Sequence, residues 1–205
     1  VWIRVMYAHP GHVDDGIIEA FGRGGKLVPY LDMPIQHASD VVLSAMGRGY
    51  DAAALERTIG RLRDARPEIA LRTTVMVGHP GEGAKEFGEL LRFLEKARFA
   101  HLGTFVYTPE AGTPSAGMKR SCGAKEAEQR RDEVMRLQQE ATFEYLDGYV
   151  GGVVEIIAED AETARAYFQA PEVDGAVVSD YAWPGGMSKA LITARHGYDL
   201  KGEPI

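Results

Sequence analysis

Two short segments of this chain hold residues that could do chemistry. The first, LRTTVMVGHPGE, runs from Leu71 to Glu82. Gly78, Pro80 and Gly81 form a tight turn after an apolar run, and glycines there let backbone N–H groups approach a ligand. Glu82 follows, at the head of the next helix. No Lys-Ser/Thr pair is present for a phosphate, and the glycine spacing does not match the dinucleotide fingerprint. Arg72 and Thr74 are two apart and share one face of a strand. If that face lines a cavity, Arg72 is placed to clamp a carboxylate with both arms; otherwise it lies along the strand start with its head in water.

The second segment, YLDMPIQHASD, spans Tyr30 to Asp40. The amide of Gln36 and the hydroxyl of Ser39 suit the hydroxyls of a ribose, although Ser39 or Asp40 equally suits a helix N-cap. His37 has no carboxylate or cysteine at ligand spacing, so neither a metal nor a general-base role is assigned to it. His9 and His12 flank a Pro-Gly pair and should splay apart. Cys122, beside Ser121, is expected to be an inert thiol. It is the sole cysteine, so an internal disulfide is excluded, and an iron–sulfur or zinc site would need further ligands. A cytoplasmic protein is expected. No metal-ligand set and no catalytic residue is assigned.

These residues must be held by an alternation of strands and helices over roughly the first 110 residues. VWIRVMYAH, LVPYLDMP, IALRTTVMV and FAHLGTFVYT read as strands, separated by helical pieces. Single helices between strands imply a parallel sheet with its ligand end at the strand carboxyl termini. A long charged helix follows. Beyond Gly148 the chain turns to short strands, VVEIIAED, RAYFQAPEVDG, AVVSDY and KALITARHG, broken by Gly, Pro and Asp. This pattern predicts a small antiparallel barrel. The expected division is an α/β domain over 1–122, a connecting helix over 123–147 and the barrel over 148–205. At 45% hydrophobic and 26% charged, the 205 residues are ordinary for a soluble globular chain. The net charge of −7 is uneven, because nine acidic and four basic residues place −5 on the segment from Gly148 onward. Such a surface favours basic partners and repels phosphate backbones.

Taken in order, the blocks YLDMPIQHASDVVLSAMGRGY, LRTTVMVGHPGE and GTFVYTPEAGTPSAGM, followed by a charged helix and a small β domain, resemble the radical-SAM methylthiotransferases. The resemblance covers nearly the whole chain. QHAS stands where the tRNA-modifying branch reads Ser-Gly-Ser after the glutamine. Together with APEVDG in the tail, it is similar to the branch that methylthiolates an aspartate of ribosomal protein S-twelve.

The resemblance implies a partial radical-SAM (β/α) barrel followed by a TRAM domain that grips the substrate macromolecule. It implies S-adenosylmethionine at the strand carboxyl ends and four-iron four-sulfur clusters, one held by a CxxxCxxC loop. With Cys122 alone, that loop is expected to lie upstream of Val1 and this chain to be inactive by itself. By motif position, Gln36 and Ser39 fall near the ribose and methionine ends of the cofactor. Arg72, Thr74, Gly78, Pro80, Gly81 and Glu82 flank its adenine and sugar. His79 stands where the family usually has Phe, and Ala111 where a second acidic residue is common. The acidic tail favours a basic ribosomal protein as partner over tRNA. The alternatives are the tRNA-adenosine branch, a protein-binding module without chemistry, and an aldolase-like enzyme, for which no lysine or carboxylate pair is found at the strand ends.

Overall fold

A computed structural model describes residues 2–205; Val1, the first residue of the expected first strand, lies outside the described residues. Four strands, β1 (Ile3–Val5), β2 (Leu27–Asp32), β3 (Ala70–Val77) and β4 (His101–Val106), form one sheet in the order β1-β2-β3-β4, all parallel. The crossovers carry α1 (Asp15–Arg23), α2 (Asp40–Ala45) with α3 (Ala52–Ala65), and α4 (Ala84–Ala97). Asp14 and Asp51 start α1 and α3 by accepting the N–H of Ile17 and Ala54. The apolar faces of α1, α3 and α4 pack with Leu31, Leu71, Val75, Val77 and Leu102 into one core. Proline cannot donate a ladder bond. Pro29 sits within β2, and the β1–β2 register shifts there, with Ile3 opposite Leu27 but Val5 opposite Leu31.

The charged helix α5 (Ala124–Asp147) is more than a connector. Ala127, Arg130, Val134, Gln138, Thr142 and Leu146 form a buried stripe along it. Three of these are polar, and each bonds a backbone carbonyl on the α/β body. Arg130 reaches Glu82 O at 2.8 Å, Gln138 reaches Phe99 O at 2.7 Å, and Thr142 reaches Ala100 O at 2.9 Å. A hydropathy pattern reads such a helix as solvated; the buried polar groups are satisfied, so their burial is not penalised.

After α5, five strands close a barrel in the order β5-β6-β7-β9-β8: β5 (Val153–Ala158), β6 (Thr163–Ala166), β7 (Val177–Val178), β8 (Met187–His196) and β9 (Asp199–Pro204). The pairs are antiparallel except β7–β9, which is parallel. The expected strand RAYFQAPEVDG ends early at Ala166. The guanidinium of Arg165 bonds the carbonyls of Ala170, Asp174 and Gly175, gathering residues 170–175 into a loop. β9 carries a single large apolar side chain, Leu200, and escapes a search for alternation.

The barrel seats on the sheet face opposite the helices. Val28, Tyr30, Ala70 and Ala100 share a core with Val154, Ile156, Phe168 and Leu200 of the barrel. Polar bonds cross the same seam: Tyr30 Oη to Asp174 Oδ2 at 2.7 Å, His101 Nε2 to Phe168 O at 2.8 Å, and Arg4 to Tyr167 O at 2.9 Å. Tyr167 Oη also donates to Glu68 O at 3.2 Å.

Candidate functional site

β3 alternates as its sequence predicts. Leu71, Thr73, Val75 and Val77 are buried against the helices, whereas Arg72, Thr74 and Met76 are half-buried on the other face. That face opens, at the carboxyl ends of β3 and β4, into a cleft of about 450 Å³. Its walls include Gln36, Met46, Arg48, Met76, His79 and Tyr107. Gln36 is bridged to β3 by its backbone, with its N–H on Thr74 O and its carbonyl accepting from Met76 N, both under 3 Å. It adopts φ +65°, a left-handed conformation uncommon for a side-chain-bearing residue.

A buried polar cluster behind the cleft fixes this geometry. Ser39 N–H donates to His37 Nδ1 at 2.9 Å, so that nitrogen carries no hydrogen and Nε2 does. His37 Nε2 then donates to Glu82 Oε2 at 3.2 Å. Glu82 Oε1 accepts from Gly78 N–H at 3.0 Å and from Arg130 at 2.6 Å. Burial pushes the Glu82 carboxyl up, but the bonds from His37, Gly78 and Arg130 outweigh it and hold the group below its ordinary value. His37 and Glu82 are both fully buried. The pair ties the segment carrying Gln36 to the turn and to α5.

The turn itself works differently from its sequence-based expectation. Gly78 N–H is bound by Glu82, Gly81 N–H by Ser121 Oγ at 2.8 Å, and Glu82 N–H by His79 O at 2.9 Å. In this structure these donors are taken up by the protein itself. Gly78 adopts φ +75°, and a Cβ on it would lie 2.7 Å from Ala127 Cβ on α5. The glycine thus serves the approach of the turn to α5.

The expected site residues therefore separate. Gln36 lines the cleft and Thr74 lies on the face leading to it. Ser39 is buried at the head of α2 with its hydroxyl unpartnered. Gly78, Pro80, Gly81 and Glu82 form the supporting layer. Arg72 does clamp carboxylates, but those of the protein: Asp32 at 2.9 Å and Asp174 at 3.4 Å. Residues not singled out earlier complete the cleft. Arg48 is half-buried, with its Nε unpartnered. Tyr107 is buried, its hydroxyl unpartnered, and packs edge-on against His79 at 5.0 Å. Burial pushes His79 down, which keeps it neutral. Met76 was recoverable as the third member of the Arg72–Thr74 alternation; Arg48 and Tyr107 follow element ends and carry no periodic signal.

The cleft thus combines an amide, hydroxyls, a cation and apolar walls, which suits a small ligand with polar and aromatic parts. For a metal cluster the residues do not fit. Among the described residues no three His, Cys, Asp or Glu side chains gather as a ligand set, and Cys122 is buried with its thiol pushed up by burial. No helix among the described residues is long and apolar enough to cross a membrane.

Comparisons with known proteins agree with the two-part architecture. The profile of the Radical SAM superfamily matches residues 1–94, and that of the TRAM domain matches residues 150–205. The chain is 42% identical to the ribosomal protein uS12 methylthiotransferase RimO of Anaeromyxobacter sp., covering 100% of this chain and 45% of that protein. It is 41% identical to the same-named protein of Pseudothermotoga lettingae, covering 99% of this chain and 49% of the relative. With that of Thermotoga maritima it shares 37% identity, covering 100% and 49%. The chain thus spans about half the length of these curated relatives. Among solved structures, coproporphyrinogen III oxidase (HemN) from Escherichia coli, described as a radical SAM enzyme, superposes with a TM-score of 0.56. It is 12% identical and covers 98% of this chain and 51% of that one, a likeness of fold alone.

Proposed function

We propose that this chain belongs to the radical-SAM methylthiotransferase family and is part of a cytoplasmic enzyme adding a methylthio group to the β-carbon of an aspartate in ribosomal protein S-twelve. The observation that carries the reading is the cleft at the carboxyl ends of β3 and β4, with Gln36 bridged to β3 at its wall. S-adenosylmethionine fits its donor set and, when bound, supplies the group that takes hydrogen from an unactivated carbon. Gln36 and Thr74 would bond the ribose hydroxyls. Arg48, a half-buried cation with an unpartnered Nε, would meet the methionine carboxylate. Met76 and Tyr107 offer apolar contact to the adenine, and neutral His79 adds no charge beside it. Ser39, Gly78, Pro80, Gly81 and Glu82 would hold this wall in place without touching the cofactor. The iron–sulfur chemistry of the family finds no ligands here, and no step is assigned to it.

The barrel would grip the substrate. Its net −5 attracts a basic ribosomal protein and opposes a polyanion such as tRNA. Calorimetric titration of the 205-residue chain with S-adenosylmethionine tests the cleft. Saturable binding is expected, weakened at least about tenfold by Gln36→Ala, as for loss of a charge-free, half-buried bonding partner. Absent binding, or equal binding by the variant, overturns the assignment. A pull-down at moderate salt tests the partner: retention of S-twelve is expected, and retention of tRNA in its place would move the chain to the sibling branch.

A further inference from the structure

One carboxylate in the sheet does two jobs. Asp32, fully buried at the end of β2, accepts from Arg72 Nη1 through Oδ1 at 2.9 Å and from Tyr7 N–H through Oδ2 at 3.2 Å. Its own carbonyl takes Ala8 N–H at 2.9 Å. Arg72 in turn lies 3.4 Å from Asp174 Oδ1, on the barrel. Asp174 is itself held by Tyr30 Oη at 2.7 Å and Ala170 N–H at 2.9 Å. The line Asp174–Arg72–Asp32–Tyr7 thus runs from the barrel, through the sheet, to the end of β1.

Tyr7 needs such a tie. It adopts φ +58° and is 77% exposed. A left-handed backbone strains a side-chain-bearing residue, and its exposed ring gains little packing in return. Tyr7 lies at the carboxyl end of β1, the end of the sheet that carries the cleft. Two residues on, His9 packs edge-on against Tyr50 at 5.4 Å, beside Arg48 of the cleft wall.

We propose that Asp32 is a positioning residue that couples the seat of the barrel to the backbone of Tyr7 at the rim of the candidate site. The functional meaning rests on the reading of that rim as the reaction site. While Asp174 shares Arg72, the guanidinium uses one Asp32 oxygen and leaves the other for Tyr7. When the barrel shifts and Asp174 withdraws, Arg72 gains most by engaging both Asp32 oxygens, because bidentate pairing is its strongest geometry. The Tyr7 N–H then loses its acceptor, and the rim relaxes. Substrate held by the barrel is in this way sensed at the rim.

Amide hydrogen exchange of the isotope-labelled chain reads this directly at the Tyr7 N–H. Asp174→Asn is expected to speed exchange at Tyr7 at least about tenfold while β3 core amides keep their rates. Tyr167→Phe, which removes a seam bond to Glu68 outside the line, should leave Tyr7 unchanged. In an Asp32→Asn background, Asp174→Asn should add nothing. An unchanged Tyr7 in Asp174→Asn, an equal response to Tyr167→Phe, or an additive double variant each overturns the coupling. Should Asp174→Asn fail to fold, Tyr30→Phe, which loosens Asp174 without removing its charge, is read in the same way. A smaller acceleration supports the coupling and none overturns it. Failure of S-adenosylmethionine to bind a chain with this coupling intact would sink the cleft assignment alone.

Discussion

Glu82 is fully buried, yet every oxygen of its carboxylate is bonded, to His37, Gly78 and Arg130. Removing its charge leaves Arg130 partly unpaired in a water-poor site, so Glu82→Gln should cost roughly 3 kcal/mol by the usual penalty for breaking a buried pair. The sign with pH follows from the lowered value. The stabilisation is present above the unfolded carboxyl value of 4.5 and disappears as pH falls through the lower folded value. Thermal melts of the two chains should therefore differ most at neutral pH and converge in acid; a constant gap would contradict this. Gly78→Ala meets both a positive φ and Ala127, and should lower stability by about 2 kcal/mol. At this scale the sequence signalled a turn of special geometry but not the partners that take up its donors. Glycine content and the following glutamate suggested open backbone donors; in the structure Glu82 accepts from Gly78 and Ser121 from Gly81, and Arg130 donates to Glu82, with Ser121 and Arg130 arriving from 40 and 48 residues away. No local pattern announces such partners.

The elements were more legible than their partners. Period-two alternation marked β3, and Asp51 marked the start of α3, because each signal arises within the element itself. The role of α5 was hidden, since its buried stripe contains Arg130, Gln138 and Thr142 where a core face normally shows apolar residues. The barrel hid β9 and the loop at residues 170–175 for a related reason: closure supplies their partners, and their own side chains supply little. Gly175 illustrates the point. A Cβ there would lie 1.9 Å from Tyr198 O, a backbone atom in the β8–β9 turn. Gly175→Ala must push that turn aside and should destabilise the barrel by about 3 kcal/mol, the upper range for overpacking. Urea unfolding followed by the fluorescence of Trp183, buried in the barrel core, should show an earlier midpoint. A midpoint equal to that of the parent chain would contradict the close approach.

For the molecule as a whole, the seam between sheet and barrel is where the parts constrain each other. His101 lies in it, bonded to Phe168 O and 3.7 Å from Asp174. Burial pushes its imidazole down more than Asp174 and the Phe168 carbonyl raise it, so it is neutral when folded. The unfolded histidine takes up a proton near its ordinary value of 6.5, which the folded one resists. Stability from this group is thus present above that pH and lost as pH falls through it. Melting temperatures between pH 7.5 and 5.5 should fall, and His101→Gln should flatten the slope; an unaltered slope would contradict a neutral buried ring. The charge of the tail was readable from composition, and so was the existence of a second small domain. That the barrel would cover the face of the sheet away from the helices, through Tyr30, Arg72 and His101, depended on contacts spanning more than 60 residues.

The seam also sets a timetable for the newborn chain. A ribosome releases residues in order, so β2, β3 and β4 emerge well before Asp174 and Phe168. Until then Arg72 lacks its second carboxylate and Tyr30 and His101 lack their acceptors, while one flank of the sheet stays wet. The parallel core can form early on its helical side, but its maturation must wait for the barrel segment, including Asp174, to clear the exit tunnel. A stall in translation between α5 and the barrel would therefore leave a half-finished sheet, and that interval is when a chaperone would be most needed.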